Sequence, residues 1–322
     1  MIRLATLLGL AGLAVATALF LWQGVGPIVA TFSAAGIGIL WASLFHFASM
    51  ALNARAWQIL LPGSRRGSLL FYLWAVWLRE SVNGLLPVAR VGGEVVSARL
   101  LMRHGLRAGR AVASLVVDMT ASLVSQFAFT VIGVAILLLR GLGGDTVRDI
   151  ALGLAVAVPL VAAVVVVQRI GVFRLLASAF RALFGDRFDA LVGSAASLDR
   201  AVRRLYRRRT AVIACCLWQL AGWIAGAGEI WLALHYLGQH AAFIDALVIE
   251  AVIQALSSGA FVVPGALGVQ EGGFLVICGA LGMSSEIALA LALARRARDV
   301  IIFVPALVAW QLSAGRRALA SA

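Results

Sequence analysis

Apolar runs of near-spanning length, broken at a few places by turns and charges, dominate the chain. The first, Leu4 to Trp22, is about 19 residues against the roughly 20 that cross a bilayer. Its small-residue AVA resembles the end of a signal peptide, but the length predicts a retained first helix. A GVGP turn leads to a second span from Ile28 to about Leu52, which closes in LPGSRR. The shorter run LLFYLWAVWL then passes straight into NGLLPVARVGGE, Asn83 to Glu94, and a basic helix SARLLMRHGLRAGR follows. A third span, Ala111 to Leu139, carries Asp118. The polar loop RGLGGDTVRD precedes a fourth, Ile150 to Val167, and a fifth, Ala211 to Leu237, contains Glu229. The run ALVIEAVIQALSSGAFVVPGALGVQEGGFLVICGALG is again interrupted, by glycines, a proline and glutamates. The last span, about Ile287 to Leu312, carries Arg295, Arg296, Arg298 and Asp299.

These runs predict an all-α polytopic membrane protein, with about six full transmembrane helices and two broken, re-entrant helical hairpins. Residues 1–322 then form a single integral membrane domain. Both interrupted runs hold a proline with a glutamate seven positions later, PVARVGGE and PGALGVQE, 177 positions apart. The same offset aligns Ser81 with Ser258 and Gly105 with Gly282, and lays whole spans on one another. The half-repeats are about 1–140 and 150–317, with the basic amphipathic segment 168–210 inside the second. Three crossings per half is an odd number, so the halves insert with opposite orientation, an inverted-topology repeat.

Composition sharpens this picture. The chain has 322 residues, 62% hydrophobic and 13% charged, with a mean hydropathy of +1.00. Soluble domains run near 45–50% apolar and about 25% charged, so hydrocarbon must be the solvent for much of the surface. A net charge of +13 invites a nucleic-acid reading, but the arginines sit at the ends of apolar runs and between them. That placement fits the positive-inside rule and anionic headgroups instead. The segment Gln168–Thr210 holds ten arginines against three aspartates, with Phe173, Leu176, Phe180 and Leu183 at helical spacing. It reads as an amphipathic helix in an anionic headgroup layer, or as a solvated connector with snorkelling arginines. Placing both termini in the cytoplasm puts every strongly basic loop inside.

Broken helices at membrane depth are tolerated where protein or a water-filled cavity surrounds them, and there transporters bind polar groups. The candidate headgroup-binding residues are Arg90, Glu94, Asp118, Glu271, Arg295 and Arg296. Arginine suits a phosphate bidentately, so Arg90, Arg295 and Arg296 are expected to receive it. Glu94 and Glu271 hold those arginines or meet a cationic headgroup. The offset matches Asp118 to Arg295, so the two are expected to face each other. A purely structural role, in which acids and arginines neutralise one another, is the competing reading. His46 and His104 have no partners at ligand spacing, and the three cysteines lie in apolar runs without metal spacing. No metal site, cofactor or catalytic signature is read.

The pattern N-x-L-L-P-x-x-x-x-G-G-E, a basic helix, then P-G-x-x-G-x-x-E-G-G resembles the flippase-like transmembrane domain of lysylphosphatidylglycerol synthases. Within that superfamily the chain is most similar to the stand-alone hopanoid-biosynthesis-associated HpnL group. The matching positions are Asn83, Pro87, Gly92, Gly93 and Glu94, then Pro264, Gly265, Gly268, Glu271, Gly272 and Gly273. The resemblance implies a multi-pass protein of the bacterial inner membrane that moves phospholipid or hopanoid between leaflets. Lysine transfer is not expected of it. The alternatives are a membrane-embedded enzyme acting on a polyprenyl or hopanoid lipid, and a non-catalytic partner in a lipid-biosynthetic complex. A homo-oligomer is also compatible with the sequence, whereas nucleic acid is not an expected partner.

Overall fold

The computed structural model describes residues 17–19, 21–22, 25–61, 67–86, 92–140, 195–260 and 263–320. These are helical, with α1 Val25–Ala34, α2 Gly38–Leu60, α3 Leu69–Leu85, α4 Gly92–Arg103 and α5 Ala108–Leu139. The second part comprises α6 Ala195–Arg207, α7 Arg209–Tyr236, α8 Phe243–Gly259, a 3-10 turn Pro264–Ala266, α9 Val269–Ala280 and α10 Ser285–Ala320. Most of the predicted first span, the fourth span, Pro87, Arg90 and the amphipathic stretch around Phe173 lie outside the described residues.

By length and apolar composition, α5 and α7 are long enough to cross a membrane, and the bent pair Ile28–Ala34 plus Gly38–Leu60 is a third candidate. Helix α10 is longer than either, but Arg295 to Asp299 interrupt its hydrocarbon. The second span therefore differs from its expectation. It bends by 74° between α1 and α2 and runs on to Leu60. At the bend Gly36 takes a left-handed φ of 51°, and Gly38 is pressed against Tyr236 of α7, where a Cβ would lie 2.3 Å from the ring. The predicted basic helix also stops early, at Arg103, because Gly105 turns with φ 90°.

The 177-residue offset recurs in the helix boundaries. Helix α4 shifted by 177 coincides with α9 at both ends, and the first residue of α5 falls on the first of α10. Gly105 and Gly282, at that offset, are both turn glycines with positive φ. Packing follows the same pairing. Helix α3 lies on α10 and α8 on α5, α2 meets α3 as α7 meets α8, and α3–α4 is matched by α8–α9. The most extensive contact, α2 with α7, joins two helices that the offset superposes.

Along the long helices, polarity is arranged in layers. One apolar cluster contains Ile39 and Ala42 of α2, Leu137 of α5, Ile230 to Leu237 of α7 and Ile287 to Ala294 of α10. A second contains Met50 to Leu60 of α2, Ala111 to Ala121 of α5, Cys215 of α7 and Ile302 of α10. Between the two, at one level on each helix, fall His46, Gln126, Gln219 and Arg295 to Asp299. Large apolar side chains such as Trp41, Leu139, Ile213, Leu217 and Val300 face outward. This polar-inside, apolar-outside arrangement is that of a membrane protein.

The α3–α4 pair closes on a glycine. A Cβ at Gly93 would stand 2.3 Å from the carbonyl oxygen of Arg79 and 2.8 Å from Asn83 Nδ2, whereas one at Gly272 meets nothing within 4 Å. Gly93→Ala should therefore cost about 1–3 kcal/mol by overpacking, while Gly272→Ala should be near neutral. Thermal unfolding of the two variants in one detergent compares them; equal midpoints would show that the hairpin does not close as tightly as described.

Candidate functional site

The polar layer encloses a cavity of about 390 Å³. Helices α2, α3, α5, α7, α8 and α10 wall it, and the N-terminal ends of α4 and α9 reach it through Glu94 and Gln270. Its lining is rich in carboxylates, guanidiniums and amides, unlike the apolar outer surface. Lipid-facing charge is expensive, so ionisable groups inside a membrane protein turn toward a cavity or one another.

The first hairpin tip is held by Asn83, the last polar residue of α3. Its Oδ1 accepts from the Gly93 N–H at 2.9 Å. Its Nδ2 donates to both Glu94 oxygens, at 3.2 and 3.1 Å. The asparagine thus satisfies a free N–H of the first turn of α4 while fixing the carboxylate beside it. Glu94 sits where the positive end of the helix dipole favours an acid. Arg79, one turn earlier on α3, is turned away to Asp118, with Nη1 2.8 Å from Oδ2. Gln219 of α7 donates to the other Asp118 oxygen at 2.8 Å, and Trp57 lies under the Arg79 guanidinium, its ring centroid 5.3 Å away.

At the second tip the equivalent glutamate is treated differently. Glu271 Oε2 accepts from the Gly268 N–H at 2.7 Å, closing the first turn of α9. Its other oxygen accepts from Arg296 Nε at 2.8 Å, and Arg296 Nη1 donates to the Gly265 carbonyl at 2.8 Å. Arg296 therefore ties the broken segment to α10. Gly265 and Gly268 have φ of 62° and 79°, which explains glycine at both positions.

Arg295 makes a two-armed contact with Glu250 of α8, Nη1 to Oε2 at 2.5 Å and Nη2 to Oε1 at 3.2 Å. Gln254 donates to the same glutamate at 2.6 Å. Asp118 and Arg295 both line the cavity, but each is engaged by another partner. Farther along the wall, the His46 ring contacts Glu229 of α7 and Glu80 of α3, and Arg298 reaches Asp299 at 3.0 Å.

The cavity wall and its immediate supports thus hold seven carboxylates (Glu80, Glu94, Asp118, Glu229, Glu250, Glu271, Asp299) and four guanidiniums (Arg79, Arg295, Arg296, Arg298). All four guanidiniums stand against a carboxylate. Of the six sequence-level candidates, Glu94, Asp118 and Arg295 line the cavity, and Glu271 and Arg296 pair just behind it. Arg90 lies outside the described residues.

Sequence reasoning missed Arg79, Glu80 and Gln219, and passed over His46 because its partners are 34 and 183 positions away. One signal was available: Arg79 and Glu80 are a charged pair inside an apolar run, and such groups default to functional candidates. His104 packs as a stacked ring on Phe71, centroids 4.2 Å apart. Among the described residues no cluster of His, Cys, Asp or Glu has metal-binding geometry.

A helical membrane domain with a charged internal cavity and two broken hairpins defines the general class. The profile of the lysylphosphatidylglycerol synthase TM region matches residues 9–306, and the chain belongs to that family. It is thus a membrane domain of lipid-related proteins. No curated protein and no solved structure matches the chain.

The Glu250–Arg295 pair supplies a direct test of these electrostatics. Removing one member of a buried pair strands the other charge, at a cost of about 3–5 kcal/mol. Arg295→Gln alone should unfold well below wild type, and adding Glu250→Gln should restore most of the loss. A double variant no more stable than the single would mean that the two groups do not compensate each other.

Proposed function

We propose that the chain moves lipid between leaflets by passing the polar headgroup through this cavity while the acyl or hydrocarbon part stays in the bilayer. One observation carries the reading: a polar cavity of about 390 Å³ lies between the tips of two broken hairpins, inside a shell whose outer face is apolar. Such a volume is in the range of small-ligand sites, roughly 300–1,000 Å³. The substrate is a phospholipid or hopanoid of the bacterial inner membrane.

The hairpins give the passage two sides. Helix α3 starts beside the end of α2, where Gln58 donates to the Gly67 carbonyl at 3.0 Å. Arg208 donates to the Leu60 carbonyl at the same end, and the segments that carry Arg103, Arg107, Arg204 and Arg207 share the apolar cluster of Leu60. Helix α8 starts at the opposite end, where Arg140 contacts Asp245. On this reading the two hairpins enter from opposite faces, in an inverted repeat of about six full spans with the hairpins between them. The positive-inside rule assigns the arginine-rich end, with both termini, to the cytoplasm. The basic face of α6 rests there on anionic headgroups.

The ion pairs reshape the expected chemistry of recognition. Arg295 and Arg296 already hold carboxylates, and acids outnumber guanidiniums around the cavity. Glu94 is then the group that meets the headgroup, and it favours one rich in hydroxyl or amine donors over a bare phosphate. No cofactor enters this reading and no covalent step is needed, so the chain acts as a translocator rather than an enzyme.

In proteoliposomes carrying NBD-labelled phosphatidylglycerol, phosphatidylethanolamine or an aminohopanoid, the purified protein should accelerate leaflet exchange of at least one probe. Glu94→Gln should slow that exchange several-fold without lowering the thermal midpoint. Rates equal to those of protein-free vesicles with every probe would reject translocation.

A further inference from the structure

Most charged groups of the polar layer are held in simple pairs, but His46 is not. Its Nδ1 lies 2.8 Å from Glu229 Oε2 on α7, and its Nε2 lies 3.2 Å from Glu80 Oε2 on α3. A neutral imidazole has one N–H and one lone pair. Between two carboxylates it can donate to one and must turn its lone pair on the other. Both contacts become hydrogen bonds when the ring carries two N–H groups. The three groups therefore hold one proton in common, as a coupled set.

The surroundings call for that proton. Helix α3 contributes Glu80 and, beside it, Arg79, which is occupied by Asp118 of α5. Helix α7 contributes Glu229. Helix α10 contributes Arg298, Asp299 and Arg295, the last occupied by Glu250 of α8. Arg298 Nη1 is 3.0 Å from both ring nitrogens, and this equidistance puts it over the ring face rather than in line with either nitrogen. Its Nη2 is 3.0 Å from Asp299. In direct contact, three carboxylates (Glu80, Glu229, Asp299) thus oppose the single guanidinium of Arg298, and a proton on the ring offsets part of the excess. A path exists as well, since the His46 and Glu80 side chains are 13% and 27% exposed and both line the cavity.

We propose that Glu80, His46 and Glu229 form a proton-binding site, and that proton uptake and release there drive lipid movement through the cavity. The coupling half of this proposal rests on the translocation reading above. The proton arrives from cavity water, forms one N–H bond on the ring and returns to water; no other bond changes. While bound, it ties α2 to α7 and to α3, the first helix of the α3–α4 hairpin. On release, one of the two ring contacts sets a lone pair against a carboxylate, and α3 is freed to move relative to α2.

Two measurements test it. The first follows NBD-phosphatidylglycerol and NBD-phosphatidylethanolamine exchange in proteoliposomes with trapped pyranine, under an imposed pH gradient. Wild type should exchange lipid several-fold faster with the gradient than without, and pyranine should record accompanying proton movement. His46→Gln retains a donor and an acceptor but cannot take up the proton, so its exchange should ignore the gradient and leave pyranine silent. Exchange by wild type that is indifferent to the gradient overturns coupling while leaving translocation standing; no exchange at all removes translocation, and coupling with it. The second is ¹⁵N NMR of the histidine rings in nanodiscs, with the His46 signal assigned by its loss in His46→Gln. Two protonated ring nitrogens at neutral pH, reduced to one by Glu80→Gln, support the site. A neutral His46 ring in the wild type, with one bare nitrogen, overturns it whatever the lipid assay shows.

Discussion

A charge surrounded by hydrocarbon must find an opposite charge or water, and that constraint organises everything at the centre of this protein. The arginines of the polar layer are each turned onto a carboxylate from another helix. Because the pairs run α3 to α5, α8 to α10 and α9 to α10, neutralising charge also fixes which helices touch. The polar layer then separates two apolar clusters instead of dissolving one core. A buried ion pair is weak evidence for stability, since desolvation offsets much of the attraction. Here its consequence is geometric: the pairs join helices around a polar cavity.

The same constraint acts on the backbone. Breaking a helix at membrane depth leaves N–H groups without partners, and each break here is closed by a side chain. Asn83 does this for α4, and Glu271 does it for α9. The two solutions differ in charge. Glu271 is neutralised by Arg296, which also binds the Gly265 carbonyl, so the second tip is locked to α10. Glu94 is held by a neutral amide and lines the cavity. Two tips related by a common sequence pattern thus carry different electrostatics, and the first is the better placed to meet a ligand.

Much of this was legible in the sequence. Helix limits came out within a few residues for both ends of α5 and α7 and for the start of α10, because apolar runs bounded by arginine and glycine report directly on the solvent around a helix. The offset of 177 was readable from Pro87 with Glu94 and Pro264 with Glu271, since proline and glutamate are rare in this chain, and the boundaries of α4 and α9 follow it. The bend at Gly36 was not readable, because it depends on Tyr236 packing against Gly38 from a distant helix. Partner choice was equally hidden. Glu94 is held by Asn83 across 11 positions, and Arg79 reaches Asp118 across 39. Intervals along the chain do not encode contacts across a bundle, which is also why His46 read as incidental.

The pairing pattern gives these contacts a mechanical meaning. Helices α2 and α7 are exchanged by the 177-residue offset and share the largest contact, so they lie where the two halves meet. Motion of one half against the other must pass through this seam. His46 is on α2 and Glu229 on α7, and the link between them crosses the seam inside the polar layer. Glu80 extends the link to α3, the helix that carries Asn83 and so positions Glu94. The chain of contacts Glu229–His46–Glu80, then α3 and Asn83–Glu94, is continuous from the junction of the halves to the most ligand-ready carboxylate. On the translocation reading, a change in the charge of this ring acts both at the seam between the halves and on the helix that positions Glu94.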